Sequence, residues 1–337
     1  MKRHANIPVF IPHLGCPNQC VFCNQRTISG VRSFDPEAVT DIIESALSTI
    51  PSDTDVEIAF FGGSFTGIDR PLMIRLLEIA NSYLSSGRVS GIRCSTRPDY
   101  ITPEILDILE EYGLSVIELG LQSVDELVLF ASKRGHGAEI EKEACRMIVE
   151  RGFTLVGQMM IGLPGSTPES EIKTAEFIIS RGAKAARIYP TVVFRDTELC
   201  DMAMKGVYEP LSLDEAVTRS ARVMKKFIDS GIEVIRVGLC SSENLSSDDT
   251  YFAGPNHAAL GELVLGEIFY EIIKDELQRL SVSKEENIRV LVPRGSLSKA
   301  IGQNKRNKIR LQNEFEIKRI GFSETDDISG YRITIER

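Results

Sequence analysis

Short apolar runs alternate with helix-patterned ones along the first 240 residues. The runs Val9–Leu14, Val56–Phe61, Gly91–Thr96, Val116–Leu121, Thr154–Ile161 and Ala185–Val193 have strand length. VEIAFF and GQMMIGL are nearly continuously apolar, as strands covered on both faces should be. Between them the pattern predicts helices over Pro36–Ile50, Pro71–Leu84, Pro103–Tyr112, Ala138–Arg151 and Pro168–Ser180. Several begin with Pro one or two positions after Asp, Thr or Arg, as helix N-termini prefer. A further helix, Leu213–Asp229, precedes a seventh strand at Val234–Leu239. Repeated β–α units of about 30 residues predict a parallel sheet, either a barrel or a doubly wound one. In both, chemistry gathers at the C-terminal strand ends.

After about Ser241 the pattern changes. SSENLSSDDTYFAGPNH is Ser/Asp-rich and reads as a linker or long loop. A helix from His257 to about Leu280, a strand at Ile288–Val292, short helices at Ser296–Ile301 and Lys305–Phe315, and strands at Glu316–Phe322 and Tyr331–Glu336 follow. The expected division is a large α/β domain over residues 1–245 and a small α+β domain over 246–337, which suits a chain of 337 residues.

Composition sharpens this picture in two places. No run of about 18 apolar residues exists, so no membrane span is expected, and MKRHANIPVF lacks the apolar core of a signal peptide. Seven cysteines, an odd number, without an export signal predict a reduced, cytoplasmic protein in which clustered thiols mean metal rather than disulfides. The net charge of −9 is unevenly spread. Nine Lys or Arg against two Glu between Arg289 and Arg319 make that stretch +7 and leave −16 elsewhere.

Cys16, Cys20 and Cys23 have the spacing C-x3-C-x2-C directly after the first strand. Three thiolates on one compact loop suit three corners of an iron–sulfur cubane and leave the fourth iron open to a ligand. The alternative, a structural zinc site, needs four protein ligands, with His13 as the available fourth. Gly62-Gly63-Ser64 ends strand two, and paired glycines let a ligand approach the backbone closely. TRPD ends strand three, with Ser95 just before it, and Gln122 ends strand four. Lys133-Arg134-Gly135-His136 offers a guanidinium for bidentate carboxylate binding, or else is a solvated charge run. GLPG ends strand five, and the YPTVV string lies in strand six. Cys94, Cys145, Cys200 and Cys240 show no ligand spacing and read as buried structural thiols.

The cysteine spacing, Phe22 before the last cysteine and the position after a first strand resemble the radical S-adenosylmethionine (SAM) superfamily, whose core is a partial (β/α) barrel. From Pro8 to about Arg236 the strings TRPDYI, IELGLQS, KRGH, GLPG and YPTVV are similar, more narrowly, to the catalytic subunit of Elongator and its bacterial relatives. Oxygen-independent coproporphyrinogen oxidase shares a fainter version. The resemblance implies a [4Fe–4S] cluster on Cys16, Cys20 and Cys23, and reductive cleavage of SAM to a 5′-deoxyadenosyl radical. It implies that Phe22, Gly62, Gly63, Ser64, Ser95, Gln122, Arg134 and Gln158 line the SAM site, and that an electron donor such as ferredoxin or flavodoxin is needed. Three departures matter. The cysteine loop is more compact than Elongator's, Arg187 stands where relatives carry Lys, and about 100 residues remain after Arg236, so no acetyltransferase domain is expected to follow.

Residues 293–305, PRGSLSKAIGQNK, resemble the helix–GXXG–helix core of a K-homology (KH) RNA-binding domain, with Lys305 in place of the second Gly. That resemblance implies RNA contacts through Arg294, Lys299, Gly302, Gln303, Asn304, Lys305, Arg306, Lys308 and Arg310. A solvated basic helix pair is the plainer reading. The expected function is therefore radical chemistry on RNA, with Tyr189 as a contact in the substrate cavity. The alternatives are a small-molecule substrate such as a tetrapyrrole, and a non-catalytic RNA-binding iron–sulfur sensor.

Overall fold

A computed structural model describes residues 3–11, 14–16, 20–25, 28, 33–239, 247, 249–282 and 286–337. His13, Cys240 and the expected domain boundary at 245/246 lie outside the described residues. The chain divides into two compact units, residues 1–211 with 226–256, and residues 212–225 with 257–337.

In the first unit the strands are β1 (Arg3–Phe10), β2 (Thr54–Phe61), β3 (Gly91–Thr96), β4 (Leu114–Gln122), β5 (Thr154–Ile161), β6 (Ala185–Pro190), β7 (Val193–Phe194), β8 (Glu233–Val237) and β9 (Tyr251–Ala253). Seven of them form one sheet in the order β1-β2-β3-β4-β5-β6-β8, each parallel to its neighbours. Spatial order follows chain order without reversal, so the sheet is not doubly wound but curls as a partial barrel. All its C-terminal ends point one way.

The helices of this unit are α1 (Val39–Thr49), α2 (Arg70–Ser85), α3 (Pro103–Glu111), α4 (Glu126–Ala131), α5 (Ala138–Glu150), α6 (Pro168–Ser180) and α7 (Glu198–Met204). The Pro-led starts are capped as their chemistry demands. Asp69 accepts from Leu72 N, Thr102 from Ile105 N, and Thr167 forms a capping box with Ser170. Met73, Leu76 and Leu77 of α2 are fully buried, as are Ile58 and Phe60 of β2 and Ile117 and Leu119 of β4. Each contributes about 1.5–3 kcal/mol by leaving water.

Several boundaries differ from the sequence pattern. β1 begins at Arg3 and ends at Phe10, because its polar start pairs in register with Thr54–Glu57 and His4 is bonded to Glu57 at 2.8 Å. The run Ala185–Val193 is broken after Pro190, and Val193–Phe194 pairs instead with Tyr251–Ala253, inside the stretch expected as a linker. The helices α4 and α7, six and seven residues long, were hidden by being too short to show a period.

The helix α8 (Leu213–Asp229) leads from the second unit's first segment back to β8. The second unit otherwise runs α9 (Leu260–Arg279), β10 (Asn287–Pro293), α10 (Leu297–Ile301), α11 (Arg306–Phe315), β11 (Arg319–Thr325) and β12 (Thr334–Glu336). β10 is central, parallel to β11 and antiparallel to β12. Phe269, Ile273 and Leu277 of α9 pack on Ile288, Val290 and Val292 of β10, with Leu311 and Ile320 closing the core. The strand expected at Glu316 starts three residues later, because Glu316 ends α11 in the left-handed region (φ 50°) and Ile317 is buried.

Candidate cofactor site

The loop after β1 is nested on the turn after β2. Ile11 N donates to Phe61 O at 2.7 Å and Ser64 N to Leu14 O at 3.3 Å. A β-carbon on Gly63 would sit 2.5 Å from Leu14 O, and one on Gly15 would sit 2.2 Å from Ser64 O. Gly15 and Gly62 also have φ of 75° and 100°, so the close approach demands glycine twice over. This fixes Cys16 beside the Gly62–Gly63 turn, where a backbone hydrogen bond from Ser64 reaches it.

Cys16, Cys20 and Cys23 are near enough to feel one another's charge. Burial pushes the Cys23 thiol up to about 12, and Cys20 and Cys16 push it the same way. Burial also raises Cys16, against the lowering influence of Arg97 and, more weakly, Arg134. Three crowded thiols are stable as thiolates when a cation charge is shared among them, which an iron–sulfur core supplies. Among the described residues no three His, Cys, Asp or Glu side chains converge on one point as ligands of a single ion do.

Two guanidiniums face Cys20. Arg134 Nη1 lies 3.3 Å and Arg97 Nη1 3.7 Å from its sulfur. Arg97 is further fixed by Asp99, through Nε at 2.9 Å and Nη2 at 3.0 Å, and by the carbonyl of Arg134. Its own N–H donates to Ser64 Oγ at 3.2 Å. Arg134 also bonds Gly120 O, while its Nε has no partner. KRGH is therefore not a solvated charge run: Arg134 is 4% exposed and His136 8%, and of its charged groups only Lys133 faces out.

Gln122 closes β4 with φ 71°, an uncommon conformation for a non-glycine residue, where the pairing to β5 slips register. Its buried Oε1 lacks a partner. A β-carbon on Gly120 would meet Gln122 Nε2 at 3.0 Å and Arg134 Nη2 at 3.9 Å, so glycine lets the two side chains stand together.

The other residues read as SAM contacts lie elsewhere or are engaged. Ser64 is fully buried, its hydroxyl 2.8 Å from Thr96 Oγ1. Phe22 packs on the apolar cluster of Val21, Val193, Leu199 and Tyr208. Ser95 and Gln158 belong to a second group, centred on Glu118, which is fully buried. Gln158 Nε2 donates to Ser95 Oγ at 3.2 Å and to Glu118 at 2.8 Å. Glu118 also receives Arg93 at 3.0 Å and both Arg187 Nε (2.7 Å) and Nη2 (3.0 Å). Arg93 reaches Glu57 at 2.8 Å, so a charged ladder crosses five strands, β2 to β6. Tyr189 is hydrogen-bonded to Arg187 at its end, with burial pushing its phenol up.

Arg97, Arg93 and Glu118 escaped sequence reasoning as site residues. Their signal was a charge inside an otherwise apolar strand, as in GIRCST and VIELG, or directly at its end.

In the second unit, Gly302 (φ 77°), Asn304 (φ 53°) and Lys305 (φ 61°) form a tight left-handed turn between α10 and α11. Buried Asn307 staples the helix pair by donating to Gly266 O at 2.7 Å and Ala300 O at 3.3 Å. Gln303, Asn304, Lys305 and Arg306 are exposed. Arg294 pairs with Asp326 at 3.5 Å and Arg306 with Asp214 at 2.9 Å. Arg310 grips Glu267 and lies 3.5 Å over the Tyr270 ring. Lys299, Lys305 and Lys308 meet no carboxylate within salt-bridge distance among the described residues.

Residues 10–178 match the radical SAM superfamily and residues 183–269 the radical SAM C-terminal domain. An uncharacterized protein of Methanocaldococcus jannaschii is 31% identical over 229 residues, 64% of this chain and 70% of that protein. The tRNA uridine(34) acetyltransferase of Methanocaldococcus infernus is 26% identical over 254 residues, 63% of this chain and 48% of that protein. Human Elongator complex protein 3 is 30% identical over 189 residues, 50% of this chain and 35% of that protein. The chain thus spans half or less of these two characterised relatives. In fold, it is similar to the Elp3 protein of Methanocaldococcus infernus with an N-terminal deletion, with a TM-score of 0.60 at 21% identity over 83% of this chain and 64% of that one.

Proposed function

This chain belongs to the radical SAM superfamily, as an enzyme that uses a [4Fe–4S] cluster and SAM, and on that premise we propose that it cleaves SAM reductively to modify RNA. When bound, the cluster supplies the electron that breaks the sulfonium C–S bond of SAM, giving methionine and a 5′-deoxyadenosyl radical. Cys16, Cys20 and Cys23 hold it. Gly62 and Gly63 offer open backbone to the SAM amino group, and Arg134, beside Gln122, takes the carboxylate. The single observation that carries this reading is the meeting of two guanidiniums on the Cys20 thiol, beside the strained Gln122 with its unpartnered Oε1, at the C-terminal strand ends.

RNA is the substrate class favoured by two facts: relatives bear the name tRNA uridine(34) acetyltransferase, and an exposed turn in the second unit carries Lys305 and Arg306. The β–helix–turn–helix–β order of that unit and its left-handed turn support a KH-like clamp on a nucleotide backbone. Tyr189, Gln158 and the Glu118 ladder line the interior where a substrate group would enter. A one-electron donor of the ferredoxin or flavodoxin class completes the system.

The test is anaerobic reconstitution followed by assay of 5′-deoxyadenosine, with and without cellular RNA from a strain lacking the gene. The expected result is SAM cleavage that RNA stimulates, together with a new nucleoside mass in the treated RNA. SAM cleavage that no RNA stimulates, alongside unchanged RNA from the deletion strain, would overturn the RNA reading.

A further inference from the structure

Two arginines contact the same sulfur, and they are held very differently. Arg97 is locked. Its Nε and Nη2 grip both oxygens of Asp99, its Nη2 also donates to Arg134 O, and its backbone N–H is bonded to Ser64. What remains, Nη1, points at Cys20. Arg134 is not locked: its Nε has no partner, and it leans on Cys20 and one carbonyl beside the unpartnered Gln122. A ligand carboxylate can draw Arg134 away from the sulfur, whereas Arg97 has three anchors to break.

We infer that Arg97 is a positioning residue for the cluster, the permanent cation that seats the Cys20 thiolate and makes reduction of the cluster easier. The inference rests on the assignment of Cys20 as a cluster ligand. Reduction adds one negative charge to the cluster, and a fixed positive charge a few ångströms away favours that state. Asp99 offsets part of the field. Its side chain is 21% exposed, against 6% for Arg97, so water screens the carboxylate more than the guanidinium, and the cationic end faces the sulfur. Hydrogen bonds to cluster sulfurs act in the same direction. The guanidinium also ties the cysteine loop to Asp99 after β3 and to the loop before α5, while the backbone N–H of Arg97 holds Ser64 after β2, so the same residue orients Cys20.

The test compares Arg97→Lys with the double variant Arg97→Gln/Asp99→Asn, which leaves no unpaired carboxylate behind. Iron content and the midpoint potential of the reconstituted enzyme are measured by anaerobic spectroelectrochemistry without SAM. The double variant should lower the reduced-to-oxidised ratio at a fixed potential by about tenfold, equivalent to 59 mV for a one-electron couple, and Arg97→Lys should stay within about twofold of the parent. Failure of the double variant to retain four irons while Arg97→Lys retains them would also support the role. An unchanged potential in the double variant, or loss of iron in both, overturns it. Arg134→Gln, titrated with SAM in parallel, separates this from the SAM reading. If Arg134→Gln binds SAM normally, the carboxylate assignment fails, while the SAM-free result for Arg97 stands.

Discussion

The cysteine site and the basic turn both announce themselves in the sequence by clustered side chains, yet they are built in opposite ways. At the cysteines, groups from five separate segments meet around Cys20, and most of them are buried: Arg97 and Arg134 on Cys20, Ser64 bonded to the backbone of Arg97, Gln122 beside Arg134. At the turn, a stretch of +7 is largely answered by acids distant in sequence. Arg289 pairs with Glu336, Arg294 with Asp326, Arg306 with Asp214 and Arg310 with Glu267. A motif with fixed spacing survives folding because geometry defines it. A local charge count does not, because the fold decides which charges remain for a partner.

The largest effect expected is on the convergent site. Cys16→Ala, Cys20→Ala or Cys23→Ala should each lose the cluster and all measurable 5′-deoxyadenosine formation. Cys145→Ala and Cys200→Ala should keep both, because Cys145 is buried in α5, and Cys200, which packs with Val21 and Phe22 in one apolar cluster, gives way there to another small apolar side chain. Iron analysis and product assay on the five proteins decide it, and full activity in Cys20→Ala would remove the basis of the site.

The turn should respond by degree. Lys305→Glu/Arg306→Glu should weaken RNA binding by about tenfold at 50 mM salt and flatten the salt dependence by roughly one to two units of log–log slope. Lys225→Glu/Lys226→Glu should do less. Arg310→Ala should behave otherwise than its position in the basic run suggests. It should cost about 1–2 kcal/mol of stability, after discounting for its part-exposure, and leave RNA affinity nearly unchanged. Anisotropy titrations and denaturant unfolding separate these outcomes. Equal losses of binding in Arg310→Ala and Lys305→Glu/Arg306→Glu would mean that its ion pair opens on RNA.

Much of this was legible in the sequence, and the exceptions have physical causes. Pro-led helix starts and apolar strands fixed most elements, since capping and burial are local. Gly91–Thr96, Thr154–Ile161 and Pro168–Ser180 fall where the pattern puts them. The pattern left barrel and doubly wound sheets open, because strand order is a property of pairing. The nearness of Cys16, Cys20 and Cys23 to one another follows from their spacing, whereas the contact of Arg134 with Cys20 depends on the fold. Ser95 and Gln158 proved to be bonded around Glu118, a partner visible to no local window. The Gly expected at position 305 is replaced by a Lys that still adopts φ 61°.

That replacement allows a finer cut between charge and shape. A left-handed conformation costs a non-glycine residue about 1–2 kcal/mol. Lys305→Gly should therefore raise the unfolding free energy by about 1 kcal/mol while lowering RNA affinity through the lost charge. Stability and binding moving in opposite directions would separate the turn's geometry from its electrostatics. A loss of both would show that Lys305 has a packing role.

A pH dependence is set behind the convergent site. His136 and Glu141 side chains are fully buried, with Nδ1 and Oε1 3.7 Å apart and none of their four polar atoms hydrogen-bonded. Burial pulls His136 down to about 4, helped by Arg134 and Arg97 and opposed by Asp99. Burial pushes Glu141 well above its ordinary 4.5, opposed by Arg134 and helped by Glu126 and Asp99. Folded, the pair thus carries its proton on Glu141 rather than on the imidazole. Unfolded, it carries one proton between about 4.5 and 6.5, on the histidine, so stability from this pair is flat there. Above 6.5 the unfolded pair loses that proton, and wherever folded Glu141 still holds its own, stability falls as pH rises, by at most about 1.4 kcal/mol per unit. Glu141→Gln carries no titrating proton and should flatten the fall above pH 6.5. Anaerobic urea unfolding of both proteins across that range measures it. Parallel curves would mean that the proton is not held on Glu141.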